Sequence, residues 1–138
     1  MTDKPIIAGL AHVCFVVADL ERSASFYCET LGLQRAFSFV NDQGVVFGHY
    51  IHLGGRQFIE LFQRELAARA DGQSYQHLCL EVENLSHTVT TLRQRGVDCT
   101  EPKLGSDNAW QAWIQDPDGN RIELHQYTPE AKQMAWLS

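Results

Sequence analysis

The stretch HLGGRQFIELFQ (52–63) sets one carboxylate among apolar neighbours, and the place of Glu60 decides how the chain is read. Gly54-Gly55 can supply the positive φ angles that a two-residue primed turn needs, so residues 58–62 are expected to form the second arm of a hairpin. Side chains alternate across a strand, which puts Ile59 and Leu61 on one face and Phe58, Glu60 and Phe62 on the other. A lone Glu at a sheet edge would simply reach water. A buried one needs a cation, a metal or a proton, so the rest of the chain must be asked for a partner.

The tripeptide Ile-Glu-Leu returns at 122–124, and more than a tripeptide is repeated. AHVCFVVADL (11–20) is a strand-like run followed by Asp19 as N-cap, a helical segment to about Leu31, and Gly32 where a C-cap belongs. QHLCLEVENL (76–85) follows the same plan, with Asn84 as cap, helix through Leu92 and Arg95, and Gly96 at the end. Strand-like runs follow each helix: FSFV, VVFGHYIHL and RQFIELF in the first half, VDCT, AWQAWIQ and NRIELHQY in the second. His12 to His77 is a step of 65 (77 − 12) and Glu60 to Glu123 a step of 63 (123 − 60), as a duplicated module with a two-residue length difference would give. The expected fold class is α+β, two tandem βαβββ modules forming curved mixed sheets. The whole chain 1–138 reads as one domain, with module 1 at about 8–62, a linker at about 63–75, module 2 at about 76–127 and a tail at 128–138.

Alternation then assigns the faces. Val13, Phe15 and Val17 lie opposite His12, Cys14 and Val16; Leu78, Leu80 and Val82 opposite His77, Cys79 and Glu81; Ile122 and Leu124 opposite Arg121, Glu123 and His125. The aliphatic faces suit packing under the helices. The other faces collect His12, Glu60, His77 and Glu123, a donor set for one divalent cation of borderline hardness: Zn, Ni, Co, Fe or Mn.

Composition limits the partners. A formal net charge of −6 argues against nucleic acid and anionic membrane, and no segment approaches the roughly 20 apolar residues of a membrane helix. The start MTDKPIIAGL lacks a basic n-region and a long apolar run, and the four cysteines (14, 28, 79, 99) show no CxxC spacing. A cytoplasmic protein with reduced thiols acting as small core hydrophobes is the expectation, with Cys14 and Cys79, two positions after His12 and His77 on the same face, as tuners or ligands of a soft metal the alternative.

With these residues in hand, AHVCFVVADLERSASFYCETLGL (11–33), QFIELF (57–62), QHLCLEVENL (76–85) and DPDGNRIEL (116–124) resemble the vicinal oxygen chelate superfamily (glyoxalase, bleomycin resistance, extradiol dioxygenase), and most of all short bacterial glyoxalase I. The resemblance runs from Leu10 to Tyr127. It implies the glyoxalase/bleomycin-resistance-type fold and one metal held by His12, Glu60, His77 and Glu123, nickel or cobalt ahead of zinc, iron or manganese. It also implies a homodimer with shared active sites, each drawing His12 and Glu60 from one chain and His77 and Glu123 from the other. The implied activity is that of a lyase or isomerase: proton transfer on a small α-hydroxycarbonyl or thiol-hemithioacetal substrate, through an enediolate stabilised by the metal. Glu123 is the expected base, with Glu60 the alternative.

The chain departs from that pattern at Val16, where the family carries an arginine that anchors glutathione. Arg64 falls where an amide is expected, Gln73 where a basic residue is, and Lys103 lies near another anchor. Counting back from the hairpin turn pairs His49 with Glu60, which would put His49 on the metal side; a three-residue loop with Gly119 left-handed would pair Trp113 with Glu123, so that Trp113 and Gln111 line the site. His49, Arg64, Lys103, Gln111 and Trp113 are thus the expected substrate-side residues. His125 is expected to be peripheral, and the tail either to form a short helix with Met134, Ala135 and Leu137 packed on a partner subunit or to fray. Alternatives on the same scaffold are an Fe(II) extradiol-type dioxygenase, a thioester epimerase, and a non-enzymatic protein that sequesters a drug or metabolite.

Overall fold

The computed structural model describes residues 5–137. The chain forms two compact units, Met1–Ala67 and Ala68–Ser138, each built on one four-stranded mixed sheet. In the first, β1 (His12–Val17) leads into α1 (Leu20–Ser25) and a π-helical turn (Phe26–Thr30), then β2 (Gln34–Val40), β3 (Val46–Gly54) and β4 (Gln57–Gln63). The order is β1-β4-β3-β2, with β1 parallel to β4 and the other pairs antiparallel. In the second, β5 (Leu78–Glu81), α2 (Leu85–Gln94), β6 (Lys103–Leu104), β7 (Trp110–Gln115) and β8 (Arg121–Gln126) repeat the plan in the order β5-β8-β7-β6. The fold is α+β, as the alternation of patterns predicts.

Both helices start by the same device. Asp19 Oδ1 accepts from Arg22 N and Asn84 Oδ1 from His87 N, each at 3.0 Å and from extended backbone. A second acceptor comes from the last strand of each unit: Gln63 Oε1 takes Leu20 N at 2.8 Å, and Gln126 Oε1 takes Leu85 N at 2.7 Å. These amide donors have no intrahelical partner, so each glutamine ties a strand end to a helix start for about 1 kcal/mol. The glutamines recur at a step of 63 (126 − 63), as the glutamates do.

The helix-covered faces form the cores: Phe15, Val17, Leu20, Ala24, Tyr27, Ile51, Ile59 and Leu61 in one unit, Leu85, Val89, Leu92, Ala112, Ile114, Ile122 and Leu124 in the other. The β7–β8 turn holds its register through Asp116, whose Oδ1 accepts Asp118 N at 3.0 Å and Asn120 N at 2.8 Å while Oδ2 accepts Asn120 Nδ2 at 2.8 Å. Gly119 is left-handed (φ 81°), and Trp113 pairs with Glu123.

Two local readings are corrected, the β3–β4 turn and the strand expected at 97–100. The β3–β4 turn falls at Gly55-Arg56, with Gly54 (φ 139°) and Gly55 (φ 52°) absorbing an irregularity between His52 and Gly54. The register moves by one residue, so Tyr50 rather than His49 opposes Glu60. VDCT makes no strand: Thr100 touches β7 alone, donating N–H to Trp113 O at 3.1 Å and accepting Trp113 N at Oγ1 at 2.8 Å, and the strand begins only after Pro102. The tail forms a 3₁₀ turn (Lys132–Trp136) tied to Asp107 by Lys132 N and by Gln133 Nε2 at 2.7 Å. Among the described residues no helix is long and apolar enough to cross a membrane.

Candidate metal centre

Parallel pairing of β1 with β4 sets Cys14 opposite Glu60, which brings His12 and Glu60 to the face away from α1. His12 Nε2 lies 3.7 Å from Glu60 Oε1. The Tyr50 hydroxyl is 3.0 Å from His12 Nδ1; with Nδ1–H donating to that oxygen, Nε2 keeps its lone pair toward Glu60. The second unit repeats the arrangement. His77 Nε2 lies 3.1 Å from Glu123 Oε2, and His77 Nδ1 donates to the side-chain carbonyl of Gln76. Both imidazoles thus present Nε2 to a carboxylate, with the other nitrogen engaged.

These spacings fit two neighbouring ligands of one ion. Donors at about 2.1 Å from a metal and about 90° apart lie about 3.0 Å from each other, and at a tetrahedral angle about 3.4 Å. Each unit therefore offers one nitrogen and one oxygen donor in a spacing that a divalent cation can span.

Other side chains complete each face. Cys14 hydrogen-bonds Glu60, and burial followed by that bond pushes its thiol up. Cys79 stands in the same relation to Glu123, and burial, with the nearby carboxylate adding to it, pushes its thiol up to about 12. Both thiols are exposed, contrary to the expectation of core hydrophobes. The strand opposite each glutamate contributes an aromatic ring: Tyr50 edge-on to His12 at 5.7 Å, and Trp113 edge-on to His77 at 4.8 Å. The flanks differ. Around Tyr50 the first unit places Phe37 and Phe58, with ring centroids 4.7 and 4.9 Å away, and Phe39 against Phe62 at 5.1 Å. In the second unit the guanidinium of Arg121 lies over Trp113, 4.3 Å from the ring centre, and Gln111 and Lys103 pair on the same face.

Of the expected substrate-side residues, Trp113, Gln111 and Lys103 share the Glu123 face, and Arg64, just past β4, acts electrostatically on Cys14 beside Glu60. His49 does not join them. The one-residue register shift turns it to the α1 side, where it is 2% exposed, with Nε2 2.7 Å from Glu21 Oε1 and Nδ1 2.8 Å from Ser38 Oγ. His125, expected to be peripheral, is 8% exposed, and its Nδ1 is 3.5 Å from Glu123 Oε1. The spacing of Cα atoms along β8 set the expectation; bent side chains close the gap. Tyr50 escapes sequence reasoning because a turn centred on Gly54-Gly55 shifts the register by one residue, and Arg121 adds a cation to the face it shares with Glu123 by simple alternation.

Each unit is thus a βαβββ module of the same sheet order, with a His–Glu pair at the equivalent place. The chain belongs to the Glyoxalase/Bleomycin resistance protein/Dioxygenase superfamily, whose family model matches residues 9–124. It is 31% identical over 122 residues to a lactoylglutathione lyase of Salmonella typhimurium, covering 83% of this chain and 90% of that protein. Among solved structures it resembles a glyoxalase family protein from Enterococcus faecalis (20% identity, TM-score 0.76, covering 88% of this chain and 99% of that one). It also resembles TnmS3, an antibiotic binding protein from Streptomyces sp. CB03234 (25% identity, TM-score 0.74, covering 91% and 100%).

Proposed function

We propose that the protein is a metal-dependent lyase or isomerase of the glyoxalase I type, which moves a proton between adjacent carbons of a small α-hydroxycarbonyl or thiol-hemithioacetal substrate. The observation that carries this reading is the repeated pair: His12 with Glu60 at 3.7 Å and His77 with Glu123 at 3.1 Å, at equivalent places in two copies of one module. The match to lactoylglutathione lyase supports it.

Two donors from each half would make a four-ligand site, and two chains pairing as a homodimer would bring His12 and Glu60 of one to His77 and Glu123 of the other. A divalent ion there, nickel or cobalt first, would supply electrophilic stabilisation of the charge that develops on vicinal oxygens. Glu123 takes the proton from one carbon and returns it to the next, its carboxylate held in place by a hydrogen bond with the Cys79 thiol. Tyr50 stands edge-on to His12 and Trp113 edge-on to His77, so each ring would border a substrate held at its own pair. Val16 stands where the family's glutathione-anchoring arginine would be, and the neighbouring face is a run of phenylalanines, so the thiol carrier or carbonyl side chain is taken to be less polar than glutathione. Four free cysteines suit a reducing, cytoplasmic setting.

A second reading, sequestration of an aromatic metabolite or drug, is favoured by the phenylalanine face and by the likeness to an antibiotic binding protein. Turnover separates the two. Nickel-, cobalt- and zinc-loaded protein is given hemithioacetals of methylglyoxal and phenylglyoxal with glutathione and with smaller thiols. Catalysis is expected with at least one metal, with Glu123→Gln folded and about 100-fold or more slower. Tight binding of aromatic ligands with no turnover under any metal would select sequestration.

A further inference from the structure

The second unit holds more donors than the shared site uses. Cys79, Glu123 and His125 each place one ligand atom within 4.8 Å of the others, and Glu123 and His125 are nine-tenths buried. Neither ring nitrogen of His125 makes a hydrogen bond, although Nδ1 faces Glu123 Oε1 at 3.5 Å and Nε2 faces Asp107 Oδ2 at 3.8 Å. A buried imidazole with no hydrogen bond at either nitrogen is costly unless the carboxylates beside it hold it as a cation or a bound ion engages it. Asp107 stands where a carboxylate holds a liganding histidine's far nitrogen, leaving the near one for an ion. Cys79 is exposed, so an ion can reach the cluster from solvent.

Among the described residues the first unit has no such set. At the position of His125 it carries Phe62 (125 − 63), whose ring packs against Phe39 and Phe47. Duplication explains the His–Glu pairs but not this third donor, which belongs to one half alone.

We infer that Cys79, Glu123 and His125 form a separate binding site for a thiolate-preferring divalent cation, of the zinc class, within a single chain. Donors at 2.0–2.3 Å around a tetrahedral ion lie about 3.3–3.8 Å apart, so closing from 4.8 Å takes side-chain movements of about 1 Å. Glu123 is common to this set and to the shared site, and an ion held here withdraws it from catalysis. A soft cation would thereby inhibit the enzyme proposed above, but the site itself does not rest on that activity.

The test uses Co²⁺ as the probe on the full chain carrying His12→Ala and Glu60→Gln, which removes the first unit's donors. Expected is one Co²⁺ per chain with a thiolate-to-cobalt charge-transfer band in the near ultraviolet. Cys79→Ser should abolish the band, and His125→Gln should weaken binding by roughly tenfold or more, with circular dichroism unchanged. No band in the parent, a band that survives Cys79→Ser, or equal affinity after His125→Gln overturns the site. Failure of hemithioacetal turnover would leave this result untouched, and failure of the band would leave the four-donor enzyme standing.

Discussion

Gly48→Ala puts the packing of the first unit's site face to the test. Gly48 lies in β3 opposite Phe62, and a Cβ built there would meet Phe62 Cδ1 at 2.6 Å, Phe62 Cε1 at 2.7 Å and the Leu61 carbonyl oxygen at 2.8 Å. The ring cannot withdraw freely, because Phe47 and Phe39 pack against it at 5.9 and 5.1 Å between centroids. The carbonyl belongs to a paired strand and cannot move without disturbing the ladder. Overpacking of this kind costs about 1–3 kcal/mol, and the entropy recovered by replacing a strand glycine returns about 0.5–1 kcal/mol. With contacts as short as 2.6 Å the cost falls at the upper end, so the net loss is about 1.5–2.5 kcal/mol, or a fall of roughly 5–10 °C in Tm. Urea and thermal unfolding followed by circular dichroism measure it directly. Phe62→Leu alone should also destabilise, by loss of ring packing, but Gly48→Ala added to it should cost less than in the parent, since the ring contacts are gone. A Gly48→Ala protein as stable as the parent, or two substitutions whose effects simply add, would refute the close approach.

Gln63→Ala and Gln126→Ala should each lose about 1 kcal/mol by orphaning the amide of Leu20 or Leu85, and Gln63→Glu, which keeps the acceptor at a helix N-terminus, should retain most of it; equal unfolding midpoints for all three would remove the strand-to-helix tie. Acid unfolding gives a signed test. Glu21 is held below its ordinary value of 4.5 first by its hydrogen bond to His49, and Asp107 below 3.8 first by its bond to Gln133. Depressed carboxylates lend stability that is whole above those ordinary values and is lost as pH falls through the lower folded ones. Glu21→Gln with Asp107→Asn should therefore flatten the decline of the urea midpoint below about pH 4.5, and an unchanged decline would discharge both pairs.

The fold was legible because each signal was local and was repeated. Asp19 and Asn84 announce helix starts, Gly32 and Gly96 announce their ends, and strict alternation around Ile-Glu-Leu assigns faces without any knowledge of pairing. The DPDGN turn was readable for the same reason: its backbone is fixed by Asp116 and a left-handed Gly119, so Trp113 rather than Ala112 meets Glu123. Gly54-Gly55 carried no comparable constraint. Two adjacent glycines allow the turn to sit at either of two places, and the choice between Tyr50 and His49 followed from side-chain packing that adjacency in sequence does not encode. Tyr50 joins a phenylalanine layer on one side, and on the other His49 finds Glu21 on α1 and Ser38 on β2. His125 reads as peripheral in the sequence for a different reason, since its contact with Glu123 depends on side-chain torsions and its significance on two nitrogens left without hydrogen bonds.

The proposed sharing of the site between two chains is tested most directly by complementation. One chain carries His12→Ala with Glu60→Gln, the other His77→Ala with Glu123→Gln, and nickel-dependent turnover of hemithioacetal is followed for each alone and for the two co-expressed. Inactive parents and a mixture that regains a substantial fraction of wild-type activity are the predicted result, because a mixed pair restores one intact set of four donors. Full activity in either parent, or a mixture as inactive as both under conditions where the wild type turns over, would contradict the account.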